Sequence, residues 1–189
     1  MLGNNPFLDF INTRPMVDGQ FIEQIPDGGS LLNLIGRLNL QDRPPVRRMA
    51  TAESDEMATL ARSMREDFRK FLFACKQDDR SIIDLTKVNR WFTSLGNPGV
   101  ADQFGTLKLY YFNPEENIGS PELSAILRAG LDLVTSPQID RVRKCANPDC
   151  MLWYLDVTKS RTRRWCSMSM CGNVDKARAF RQRHQTEQS

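Results

Sequence analysis

Apolar residues recur at helical spacing along most of this chain, and the polar residues between them mark where each helix should begin and end. The longest run spans about Ala52 to Gln77, where Met57, Leu60, Ala61, Met64, Phe68, Phe71, Leu72 and Cys75 fall three or four residues apart. That period lines one face of a helix and buries it, leaving Glu53, Asp55, Glu66, Arg69 and Lys70 in water. Cys75 lies on the apolar face and reads as a small core residue. Upstream, Asn5 to Thr13 is apolar enough for a short buried helix. Met16 to Gly29, richer in Gly, Pro and Asp, reads as a loop with a brief strand at Gln20 to Ile25. Ser30 suits an N-cap for a helix through Leu38, stopped by Pro44-Pro45.

Downstream, Ser81 is expected to cap a helix from Ile82 to Leu95, with Ile82, Leu85, Val88, Asn89 and Phe92 inward and Gly96-Asn97-Pro98-Gly99 as its stop. Thr106 to Phe112, β-branched and aromatic between Gly105 and Asn113-Pro114, is the best strand. Ser120-Pro121-Glu122 opens another helix, with Leu123, Ile126, Leu127, Gly130, Leu131 and Val134 on one side and a stop near Ser136-Pro137. Gln138 to Lys144 reads as a helical turn or a linker. The expected fold is mainly α with minor strands: a helical domain over residues 1–140 and a small module over 141–189.

Composition changes little in this picture, but the placement of charge does. With 40% hydrophobic and 26% charged residues in 189, the chain reads as a soluble globular protein. No apolar run reaches the roughly 18 residues of a membrane span. The net charge of +3 is uneven: residues 141–189 hold 11 Lys and Arg against 4 Asp and Glu, and the remainder holds 15 against 19. The basic charge belongs to the small module.

That module also carries the candidate chemistry. Cys145-Ala-Asn-Pro-Asp-Cys150 and Cys166-Ser-Met-Ser-Met-Cys171 are two pairs of identical spacing, separated by fifteen residues. Two short loops, each presenting two thiolates, suit one tetrahedral metal ion. Disulfides are the alternative, but Cys75 is left over from full pairing. The chain also lacks the basic start, apolar run and small-residue cleavage site of a secretory signal, so a reducing, cytoplasmic setting is expected. Zn2+ held by Cys145, Cys150, Cys166 and Cys171 is therefore the expectation, in preference to a site using His184. Between the knuckles, Met151 to Leu155 and Arg163 to Trp165 are expected to pair as strands, and the segment after Asn173 reads as a helix. Knuckle, β-hairpin, knuckle, helix is a treble-clef-like order.

Trp165-Cys166-Ser167-Met168 and Cys171-Gly172-Asn173, with Arg163-Arg164 before and Lys176 after, resemble the CGNR zinc finger, over about 40 residues counted back to Cys145. Leu8-Asp9-Phe10-Ile11-Asn12-Thr13 is similar to the opening of the ABATE domain, which precedes such fingers in bacterial proteins regarded as stress-induced transcription regulators. The resemblance implies a helical body, a zinc finger and a role in DNA binding and regulation. Val174 stands where the signature has arginine. If that arginine reaches a phosphate in relatives, this chain has one contact fewer.

Arg161, Arg163 and Arg164 on the expected hairpin, with Lys176, Arg178, Arg181 and Arg183 along the terminal helix, are candidates to contact nucleic-acid phosphates. The competing reading of this charge is that it offsets a four-thiolate zinc, whose formal charge is about −2. In the nucleic-acid reading the helical body senses an effector or forms a homo-oligomer; the competing class is a zinc-stabilised protein-interaction or ligand-sensing module without nucleic-acid binding. Catalysis is not expected, because four thiolates close the zinc shell and the single histidine joins no nucleophile motif.

Overall fold

The computed structural model describes residues 2–17, 19–40, 49–77, 84–94, 99–103, 106–110 and 120–186. Pro44-Pro45, Ser81, Ile82, Gly96 to Pro98, Gly105 and the stretch from Tyr111 to Pro114 lie outside them. The helices are α1 (Pro6–Ile11), α2 (Gly28–Arg37), α3 (Thr51–Ala74), α4 (Leu85–Ser94), α5 (Pro121–Val134) and α6 (Asn173–Thr186). Among the described residues, three small antiparallel hairpins join β1 (Met16–Val17) to β2 (Gln20–Phe21), β3 (Gly99–Gln103) to β4 (Thr106–Tyr110), and β5 (Val142–Lys144) to β6 (Trp153–Leu155). The fold is mainly α with minor strands.

Helix α1 is short but central. Asn5 caps it, its Oδ1 accepting from Phe7 N at 2.9 Å and Leu8 N at 3.2 Å, and Pro6 supplies a first turn that needs no donor. Phe7, Leu8, Phe10 and Ile11 are all fully buried, so α1 packs on more than one side, against α3, α5 and β6. The Phe7 ring meets Phe68 of α3 edge-on at 5.0 Å, and Phe68 meets Phe92 of α4 at 5.4 Å. Helix α5 approaches this ring through Gly130, where a Cβ would lie 2.6 Å from Phe7 Cε2.

The apolar face of α3 is the expected one, with Met57, Ala61, Met64, Phe68, Phe71 and Leu72 buried and Cys75 half-buried beside them. One detail differs from expectation. Asp27, not Ser30, caps α2: its Oδ1 accepts from Ser30 N at 2.7 Å, and Gly28 N is taken by Asp55 of α3 at 2.8 Å. The helix starts three residues early because Gly28 lets α2 touch α3, a Cβ there falling 2.4 Å from a backbone carbon of Ser54. Arg65, among the polar positions of α3, is 1% exposed. Its guanidinium donates to Glu23 at 2.7 and 2.6 Å and to Thr13 Oγ1 at 3.0 Å, tying the loop before α2 to α3.

Residues 138–144 finish a 3-10 turn, Pro137–Arg141, and then form β5. Strand β5 pairs with β6 across the first knuckle, Val142 opposite Leu155 and Lys144 opposite Trp153. The hairpin thus carries the first knuckle in its loop, and Arg163 to Trp165 runs as irregular chain instead of the second strand the residue types suggested. Val142, Trp153 and Leu155 join the same apolar core as α1, α3 and α5. The finger's hairpin is therefore docked on the body.

Asn12 reinforces the docking. Its Nδ2 donates to Trp153 O at 2.7 Å and its Oδ1 accepts from Trp153 N at 2.8 Å, so one amide satisfies both polar groups of a strand residue. Leu155 N donates to Gly3 O at 2.8 Å on the same side.

Candidate metal centre

In the first knuckle, Asn147 Oδ1 accepts from Asp149 N at 3.2 Å and its carbonyl accepts from Cys150 N at 2.9 Å, which turns the chain so that Cys145 and Cys150 converge. The second knuckle opens with Ser167, whose Oγ accepts from Met170 N at 3.4 Å, and makes one π-helical turn from Met168 to Gly172 before α6 begins. The knuckles are laced together by Ala146 N donating to Arg164 O at 2.8 Å.

This brings the four Sγ atoms of Cys145, Cys150, Cys166 and Cys171 within 4.8 Å of one another, all buried and none in a disulfide. Zn–S bonds of about 2.3 Å place tetrahedral sulfurs about 3.8 Å apart. Cys150 and Cys166 stand 3.8 Å apart, and Cys166 and Cys171 3.6 Å. Cys145 Sγ accepts from Cys166 N at 3.4 Å, and Cys171 Sγ from Asn147 Nδ2 at 3.5 Å. Such donors stabilise thiolate, the ligand form zinc needs. Donor set, spacing and supporting hydrogen bonds all fit zinc, and four protein ligands give a closed, structural site.

A hydrogen bond from Cys166 lowers the Cys150 thiol, while that same bond and burial push Cys166 up, so the thiols compete for charge. Burial likewise raises Cys145. A dication at the centre removes this competition.

Around the cluster, Tyr154 donates to Arg163 O at 2.6 Å, and burial pushes its pKa up to about 12, so it remains a donor. The Arg163 guanidinium lies 4.3 Å over the Tyr154 ring, donates to Trp165 O at 2.9 Å and reaches Cys166 O. Asp156, 1% exposed, accepts from Thr158 N at 2.9 Å and from Arg163 N at 3.1 Å. Burial alone would raise the Asp156 carboxyl, but these bonds outweigh it and hold the group below its ordinary value.

The other sequence-designated cations sit differently. Arg161 is exposed, with a left-handed φ of 53°, and Arg164 is exposed over the Trp165 ring at 5.0 Å. On α6, Arg178 pairs with Asp149 of the first knuckle at 2.7 Å, while Lys176, Arg181 and Arg183 are exposed. Arg163 and Arg178 are thus engaged within the finger, each against a different knuckle. The metal centre is the common fixture of both basic segments. Sequence reasoning missed Asn12, Tyr154 and Asp156 as supports, since each makes its contact across turns that no periodicity reveals.

A helical body carrying a docked four-cysteine module defines a zinc-finger protein of two parts. Family models agree with this division: one for the CGNR zinc finger matches residues 141–184, and one for ABATE, described as "Putative stress-induced transcription regulator", matches residues 4–137. The chain belongs to the ABATE family and carries a CGNR zinc finger after the family domain. No curated protein is similar enough to the chain to count as a match. Among the described residues, no helix is long and apolar enough to cross a membrane.

Proposed function

We propose that this chain is a transcription regulator whose zinc finger grips duplex DNA through its phosphates. The observation that carries the reading is the surplus of charge on the metal-fixed segments. Eleven Lys and Arg face four Asp and Glu over residues 141–189, whereas offsetting four thiolates around zinc takes about two cations. Lys176, Arg181 and Arg183 on α6 and Arg161 and Arg164 before the second knuckle supply the contacts. Arg163 and Arg178 act instead as positioning residues, holding those segments against the cysteine cluster. Zinc does no chemistry in this scheme. The helical body supplies regulation or a second subunit.

A zinc-stabilised protein-interaction module is the second reading, favoured by Met170 and Phe180, which are 60% and 57% exposed. Binding of fluorescently labelled random duplex DNA across a salt series separates the two. Contact with about five phosphates predicts a log-log slope near −4 to −5. Lys176→Glu with Arg181→Glu should flatten it by about two contacts. No binding at low salt would overturn the DNA reading, and retained binding in the double variant would remove α6 from it.

A further inference from the structure

On the face of the body where β2 and α3 meet the hairpin of the finger lies a groove of about 330 Å³. Among its described lining residues the cations are Arg14, Arg69, Lys70 and Lys144, and Glu66 is the sole carboxylate. Glu66 is already shared between the buried Arg65 at 3.1 Å and Arg14 at 3.6 Å. Among the described residues Lys70 and Lys144 make no ion pair. Burial pulls Arg69 below its ordinary value, and although Glu66 opposes this, the neighbouring Arg65 and Arg14 add to it. Among the described residues, the groove therefore holds unanswered positive charge.

It is also aromatic. Phe21 and Phe73 are 50% and 52% exposed at its rim, and Trp153 lines it from the finger side. Arg14 lies 4.8 Å over the Phe21 ring, so cation and ring form one wall. Exposed aromatic rings beside unpaired cations suit a ligand with both a flat apolar part and a negative charge, and this volume is at the small end of ligand sites.

We infer that this groove is a binding site for a small aromatic carboxylate, bridging body and finger. The ring lies between Phe21 and Phe73, and the carboxylate is answered by Lys70 and Lys144, one from each part of the molecule. The site shares no residue with the set assigned to DNA, so either reading can fail without the other.

Titration of the zinc-loaded full chain with 2-naphthoate by calorimetry tests it. Saturable binding at one site is expected, weakened tenfold or more by Lys70→Glu or Lys144→Glu and by Phe73→Ala. The uncharged 2-naphthol should bind at least tenfold more weakly, and Arg181→Glu on α6 should leave the affinity unchanged. Absence of saturable binding would overturn the proposal, as would equal affinity for 2-naphthol or an equal loss in Arg181→Glu. Displacement of naphthoate by duplex DNA would reassign the groove to the nucleic-acid surface and overturn it too.

Discussion

Trp153 and Leu155 belong to the core of the helical body, whereas Tyr154 between them belongs to the cysteine cluster. Alternation along one three-residue strand thus divides two interiors built by opposite means. The body is held by apolar area, with α1 set among Phe68, Ile126 and Leu127. The finger's own buried apolar cluster is Tyr154 and four cysteines, with Leu2, Leu152 and Trp165 packed at its edge. So few apolar groups cannot offset the ordering of about 40 residues. The finger stands because it has metal on one side and the body on the other.

Removing the metal attacks that difference most directly. In zinc-finger peptides the ion is worth roughly 10 to 16 kcal/mol at neutral pH, more than any contact in the body. A strong chelator, or Cys150→Ser, should expose residues 145–184 to protease and shift tryptophan emission through Trp153 and Trp165. Most far-UV helicity should survive, because α1 to α5 keep their own core. Loss of the whole far-UV signal would mean that the two interiors melt as one.

The corresponding attack on the body is Glu23→Gln, which strips the buried Arg65 of its bidentate partner. Leaving one member of a buried pair unpaired costs about 3–5 kcal/mol, and Glu66 should keep this case toward the lower end. Denaturant unfolding of the zinc-loaded chain measures it. Burial raises the Glu23 carboxyl, but the bonds from Arg65 and Ile25 outweigh it and leave the group below its ordinary 4.5. Its contribution is accordingly complete above about pH 4.5 and fades as pH falls through the lower folded value. In Glu23→Gln that part of the acid loss should disappear.

How much of this was legible in the sequence follows the range of the interactions. The α3 stripe, the Ser120 cap and the cysteine pairs are local, set by residues within a turn or two of each other, and each stands where the pattern put it. Strand β3 was hidden because Gly99 reads as a helix stop, and Gly-Val-Ala-Asp-Gln has no alternation to announce a strand. The burial of Arg65 is not legible locally, because its partners, Thr13 and Glu23, come from a distant loop. The pairing of β5 with β6 is not legible in the sequence, because Val142 lies before the knuckle and the arginines after it offer a competing partner for Trp153.

Asn12→Ala probes the seam between the two interiors. It removes both bonds to the Trp153 backbone and leaves a strand N–H and C=O to find other partners, a cost of about 1–3 kcal/mol. The measurement is the thermal midpoint of the zinc-loaded chain together with the rate of zinc loss to a chelator. Both should worsen if the body braces the finger. A lower midpoint with unchanged zinc release would mean that the metal holds the finger unaided, sharpening the contrast between the two parts.

The smallest change is Val174→Arg, which restores the signature arginine at a position 45% exposed on the first turn of α6. Exposed substitutions of this kind alter stability by no more than about 0.5 kcal/mol, so the two interiors should be untouched. If the finger meets phosphates with the start of α6, one more cation there steepens the log-log salt dependence of DNA binding by about 0.9. An unchanged slope with affinity intact would place the start of α6 away from the phosphates. The contact surface would then lie with Arg161 and Arg164, and Val174 would be a substitution this chain carries at no loss of contact.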